Sequence, residues 1–80
     1  MEYVDKEIPK IIEKREYHPD GANYPTTLAV HECFCGKGRI EHHYISGFDD
    51  EYYLIRCPRC KRKYTDIIDR IGYEWRVYLK

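Results

Sequence analysis

The sequence predicts a small, mainly β domain held together by a bound metal ion, and three observations predict it. All four cysteines fall in two close pairs, Cys33-Phe34-Cys35 and Cys57-Pro58-Arg59-Cys60, with twenty-one residues between them. Short β-favourable stretches, broken by glycine- and aspartate-rich turns, fill most of the chain after residue 25. The chain has only 80 residues, and a core of that size supplies roughly 3–5 kcal/mol. A structural zinc site contributes an apparent ~10–16 kcal/mol at neutral pH, so a metal is the natural staple.

The N-terminal residues 1–25 read as an arm and a loop. Val4, Ile8, Ile11 and Ile12 follow a helical spacing. Pro9 fits the first position of a short helix over about residues 9–16, where its missing N–H costs nothing. Residues 18–27 carry His18-Pro19-Asp20-Gly21 and Tyr24-Pro25, dense turn punctuation that separates the arm from a β module over residues 26–80.

Thr26–Glu32 is β-favourable and leads into the first cysteine pair, after which Gly36-Lys37-Gly38 turns the chain. Residues 39–46 form a strand with Ile40, His42 and Tyr44 on one face. Gly47-Phe48-Asp49-Asp50 is a turn, and residues 51–57 return as a strand that delivers Cys57. A strand over 64–68 and a turn at Asp69-Arg70-Ile71-Gly72 follow. The last segment alternates cleanly, with Tyr73, Trp75, Val77 and Leu79 on one face. The sum is one domain with a three- to five-stranded antiparallel sheet and a short N-terminal helix or arm.

Cys33, Cys35, Cys57 and Cys60 are the expected metal ligands, because two thiol pairs at tight turns can present four sulfurs tetrahedrally to Zn²⁺. Three alternatives stay open. His31, His42 or His43 can replace a cysteine; a four-thiolate tetrahedron also holds iron; and Cys57–Cys60 can be a redox pair. The plain reading of the histidines is solvent-facing strand residues.

Over residues 30–65 the pattern resembles the zinc ribbon family, two cysteine knuckles joined by β-hairpins. Cys57-Pro58-Arg59-Cys60 matches a family knuckle. Two departures stand out: the first pair is C-x-C, and Lys61 stands where a glycine commonly follows the second pair, which asks either an unusual backbone angle of the lysine or a different turn. The resemblance implies a structural zinc and a role in transcription or nucleic-acid processing.

Composition bounds the function. Lys and Arg number 14 against 14 Asp and Glu, so net charge does not make the chain a general polyanion binder. No apolar run is long enough to span a membrane, and Met1-Glu2-Tyr3-Val4-Asp5-Lys6 lacks the order of a signal peptide. A cytoplasmic setting is expected, where paired cysteines bind metal rather than form disulfides. Catalysis is not expected: there is no Gly-rich phosphate loop, a closed four-thiolate zinc has no open position, and nothing marks a deep pocket for a small-molecule substrate.

The expected activity is binding. Nine tyrosines and one tryptophan favour a protein partner, since tyrosine is enriched at interfaces. Direct nucleic-acid binding is the alternative, with Arg56, Arg59, Lys61, Arg62 and Lys63 meeting phosphates while Tyr52 and Tyr64, and also Tyr44 and Tyr53, stack on bases. The same cations also serve simply to offset a doubly negative tetrathiolate centre. A third reading follows from the tip Asp49-Asp50-Glu51, which is similar to the acidic hairpin of transcript-cleavage factors; Asp50 and Glu51 then assist a polymerase's metal.

Overall fold

The computed structural model describes residues 2–18, 21, 24–45 and 50–80. Seven strands and one short helix occur among them: β1 (Tyr3–Glu7), β2 (Ile11–Tyr17), β3 (Thr26–Glu32), β4 (Arg39–Ile45), β5 (Glu51–Ile55), α1 (Pro58–Lys63), β6 (Tyr64–Ile71) and β7 (Glu74–Leu79). They form two antiparallel sheets, ordered β1-β7-β6 and β2-β3-β4-β5. The mainly β architecture matches the sequence expectation, with two sheets in place of one. No helix among the described residues is long and apolar enough to cross a membrane.

The N-terminal segment is the main correction. The helix expected over residues 9–16 is absent; β2 occupies that stretch and every one of its residues is exposed. Ile11 and Ile12 do share a helical spacing with Ile8, but Pro9 ends one extended segment and lets another begin. β1 pairs with β7, Val4 lying opposite Val77, while β2 pairs with β3. The segment read as an arm thus contributes one strand to each sheet. Edge pairing satisfies its backbone without burying a helical stripe.

The alternation read in the C-terminal strand holds at its centre. Trp75 and Val77 are fully buried, Leu79 is half-buried and Tyr73 stands outside the strand, 93 % exposed. The third strand runs three residues further than expected, through Ile71, and the turn narrows to Gly72-Tyr73. Gly72 takes the left-handed backbone there, with φ +59°. The turn expected over 47–50 lies outside the described residues save for Asp50.

Trp75 sits at the junction of the sheets. Its ring meets Tyr53 edge-on at 5.1 Å, His31 at 4.7 Å and Phe34 at 6.2 Å. Around it gather Ile40, Ile55, Tyr64, Ile68 and Val77, and three of the cysteines belong to the same core. The two sheets are also tied by the Ile55 backbone N–H, which donates to the Asp66 carboxylate at 2.9 Å. The core is therefore continuous with the cysteine site.

Candidate metal centre

Each cysteine is placed by a different local device. Cys33 follows β3 directly, and its N–H donates to the Gly38 carbonyl while Gly36 N–H donates to the Cys33 carbonyl, both at 2.9 Å. These bonds close a tight loop that carries Cys35 outward. Gly36 adopts φ +77°, a conformation that costs an L side chain roughly 1–2 kcal/mol. Gly38 is required for a second reason: a Cβ there would lie 2.8 Å from both the Cα and the Sγ of Cys57. The missing side chain lets the two cysteine segments meet.

The second pair opens a helix. Cys57 is the N-cap with extended backbone, Pro58 takes the first helical position, and Lys61 N–H donates to the Cys57 carbonyl at 2.9 Å. Proline suits that position because no donor is lost. The backbone strain considered for Lys61 does not arise, since no non-glycine residue has positive φ among those described. The second cysteine pair therefore departs from the tight knuckle turn that the sequence resemblance implied. A helix does open at Cys57, as in redox motifs, but antiparallel strands flank it and two further thiols face it.

The four sulfurs lie within 4.8 Å of one another. Cys33 and Cys60 Sγ are 3.1 Å apart and Cys35 and Cys57 Sγ 3.4 Å. A tetrahedron with Zn–S bonds of about 2.3 Å has edges of roughly 3.8 Å, so the donor set fits such an ion. Cys33, Cys57 and Cys60 are buried and Cys35 is exposed. Cys57 has its thiol drawn down to about 7, chiefly by the Cys60 backbone N–H, which favours the thiolate. Burial pushes the Cys33 and Cys60 thiols up.

The histidines are not brought into this group. His31 is buried rather than solvent-facing, its Nδ1–H donating to the Pro9 carbonyl at 2.8 Å. Desolvation holds its pKa below the usual value, so it is a neutral packing residue. His42 stacks on Tyr53 at 4.3 Å and contacts the Glu51 carboxylate at 2.9 Å. His43 stacks on Tyr52 at 4.7 Å and contacts Glu41 at 2.9 Å. Both side chains are largely covered. The solvent-facing reading fails because ring stacking across β4 and β5 hides them.

The basic residues split. Arg59, Lys61, Arg62 and Lys63 are exposed on or beside α1, whereas Arg56 reaches Glu41 at 3.3 Å. Tyr64 is buried, with its ring edge-on to Phe34 at 5.9 Å and the Lys63 ammonium 5.4 Å from its centroid. It is core, and no base can stack there. Tyr52 is exposed, on the sheet face shared with Glu41 and His43. Of the acidic tip, Asp49 lies outside the described residues; Asp50 is exposed, and Glu51 is held by His42.

Gly38, and Phe34 packed against Tyr64 and Trp75, are residues of this region that the sequence reading passed over. The Gly-Lys-Gly run signalled a turn, but its close approach to Cys57 is visible only in three dimensions. Comparison of the chain with protein-family models, curated proteins and solved structures finds no match.

Proposed function

We propose that the chain is a small metal-stapled binding module in which Cys33, Cys35, Cys57 and Cys60 hold a structural Zn²⁺, and that it engages a protein partner in a transcription or nucleic-acid-processing setting. The observation that carries the reading is the mutual 4.8 Å reach of the four sulfurs. A tetrahedral ion held by four protein donors has no open position for water or substrate, which supports a structural rather than a catalytic role. The transcription setting rests on the zinc-ribbon likeness of residues 30–65.

A protein partner is favoured by what the staple leaves outside. Ile11, Ile12, Tyr52, Ile67, Ile71 and Tyr73 are exposed, and β2 is an edge strand able to accept another. Direct nucleic-acid binding is the second reading. Its support is the group Arg59, Lys61, Arg62 and Lys63, for which no carboxylate partner occurs among the described residues.

The test is capture by the immobilised zinc-loaded chain from its native host's lysate, with and without nuclease. A protein retained after nuclease treatment, and lost from Tyr52→Ala or Tyr73→Ala protein, supports the first reading. Capture abolished by nuclease, with affinity for a defined strand falling steeply between low and moderate salt, replaces it with the second.

A further inference from the structure

Beyond the cysteine core, the two sheets leave a cleft of about 400 Å³ between them. Its lining includes Lys14, His42, Tyr44 and Tyr53 from the four-stranded sheet, and Trp75 and Arg70 from the other. Register explains the composition. Ala29 lies opposite both Lys14 and His42, and His42 opposite Tyr53, so these four share one face. Arg70 lies opposite Trp75 on β6 and β7. Nothing in the sequence marked a pocket, because its walls come from strands far apart in the chain.

Three features make this more than a packing defect. The first is an aromatic run: Trp75 edge-on to Tyr53, Tyr53 stacked on His42 with an interplanar angle of 6°, and His42 5.1 Å from Tyr44. Trp75 and Tyr53 form the buried root of this run, and its partly exposed end, His42 and Tyr44, offers aromatic surface to a planar ring. The second is the Tyr53 hydroxyl, which is buried and has no hydrogen-bond partner among the described residues. Burial pushes the phenol up to about 12, so it is a neutral donor and acceptor near pH 7. Phenylalanine would fill the same place without an unmet polar atom. The third is charge. Lys14 and Arg70 have no carboxylate partner among the described residues, while the carboxylate in the lining, Glu51, is already engaged by His42.

We propose that this cleft binds a small planar organic anion, a one- or two-ring aromatic carboxylate, whose ring lies against His42 and Tyr44, whose polar edge satisfies the Tyr53 hydroxyl, and whose charge is met by Lys14 and Arg70. Two cations beside one engaged carboxylate suit a monoanion better than a phosphate dianion. The cleft volume falls within the range of small-molecule sites, roughly 300–1,000 Å³. No cysteine is among the residues that line the cleft.

The experiment is a nuclear magnetic resonance titration of the isotopically labelled, zinc-loaded full chain. The probe is indole-3-carboxylate, with uncharged indole as comparator. Saturable shifts confined to Ala29, His42, Tyr53, Trp75 and their neighbours are expected, with a submillimolar Kd and at least tenfold weaker binding of indole. Tyr53→Phe is expected to keep a dispersed folded spectrum and lose about five- to tenfold in affinity. Lys14→Ala, a change at an exposed edge strand, is expected to lose about threefold or more. No saturable shift at these residues up to 10 mM probe overturns the proposal. So does equal binding of indole, or unchanged affinity in both variants.

Discussion

The two cysteine segments reach the same four-sulfur cluster by opposite means. The first, residues 33–38, is a loop whose shape depends on what is missing: Gly36 supplies a left-handed backbone and Gly38 a bare Cα against Cys57. The second, residues 57–63, is a short helix whose shape depends on what is present, with Pro58 at its start and Lys61, Arg62 and Lys63 in its last turn. Cations there suit the negative end of the helix dipole. One loop is held open by absent side chains and the other is built by local propensity, so their tolerance to substitution should differ.

The largest effect removes the cluster that joins them. Cys57→Ser or Cys60→Ser is expected to unfold most of the molecule, because a structural zinc couples ligation to folding and is worth an apparent ~10–16 kcal/mol in such sites. Loss of near-ultraviolet dichroism and of amide dispersion checks it. Cys35→Ser, at the exposed corner, is expected to weaken metal binding but leave a folded population when zinc is in excess. Equal collapse of both would erase the distinction between the buried and exposed ligands.

Next is Gly38→Ala. The new methyl meets the Cys57 backbone as well as its sulfur, and backbone cannot swing aside. A loss of roughly 3 kcal/mol, the upper part of the overpacking range, is expected in chemical denaturation, together with weaker zinc retention against a chelator. Gly36→Ala adds no clash, since nothing lies within 4 Å of its Cβ. It carries only the conformational cost of about 1–2 kcal/mol and should leave zinc stoichiometry unchanged. If the two variants cost the same, close approach is not what fixes the first loop.

The smallest effect lies on the outer sheet face, beside the second segment. Hydrogen bonding from His43 first, and then the Arg56 charge, hold the Glu41 carboxyl below its ordinary 4.5. A depressed carboxylate stabilises the fold above that value and loses its contribution as pH falls below it. Glu41→Gln should therefore cost under about 1 kcal/mol at neutral pH, with the gap to wild type narrowing below pH 4.5. Denaturant midpoints of both proteins across that range, with zinc in excess, measure it.

The same contrast explains what was legible in the sequence. The cysteine set could be read because thiol pairs are rare and their spacing is a local signal. β3, β4, β5 and β7 could be read from β-favourable composition and alternation, clearest around Trp75 and Val77. The helix at Pro58–Lys63 was also written in local terms, by an N-terminal proline and C-terminal cations, but the knuckle likeness masked it. β1 and β2 were not legible: Ile8, Ile11 and Ile12 fit a helical stripe, and only distant partners, β7 and β3, decide for strands. The buried state of Tyr64 and His31 depends on Trp75 and Phe34 packing over them, a contact between segments that no local pattern carries.

The most direct test of the central claim is the metal content of the purified, folded chain, measured by elemental analysis before and after a strong chelator. One zinc per chain is predicted, with loss of tertiary structure when it is withdrawn and recovery when it returns. A folded protein that carries no metal, or that keeps its structure unchanged once metal is stripped, would contradict the account.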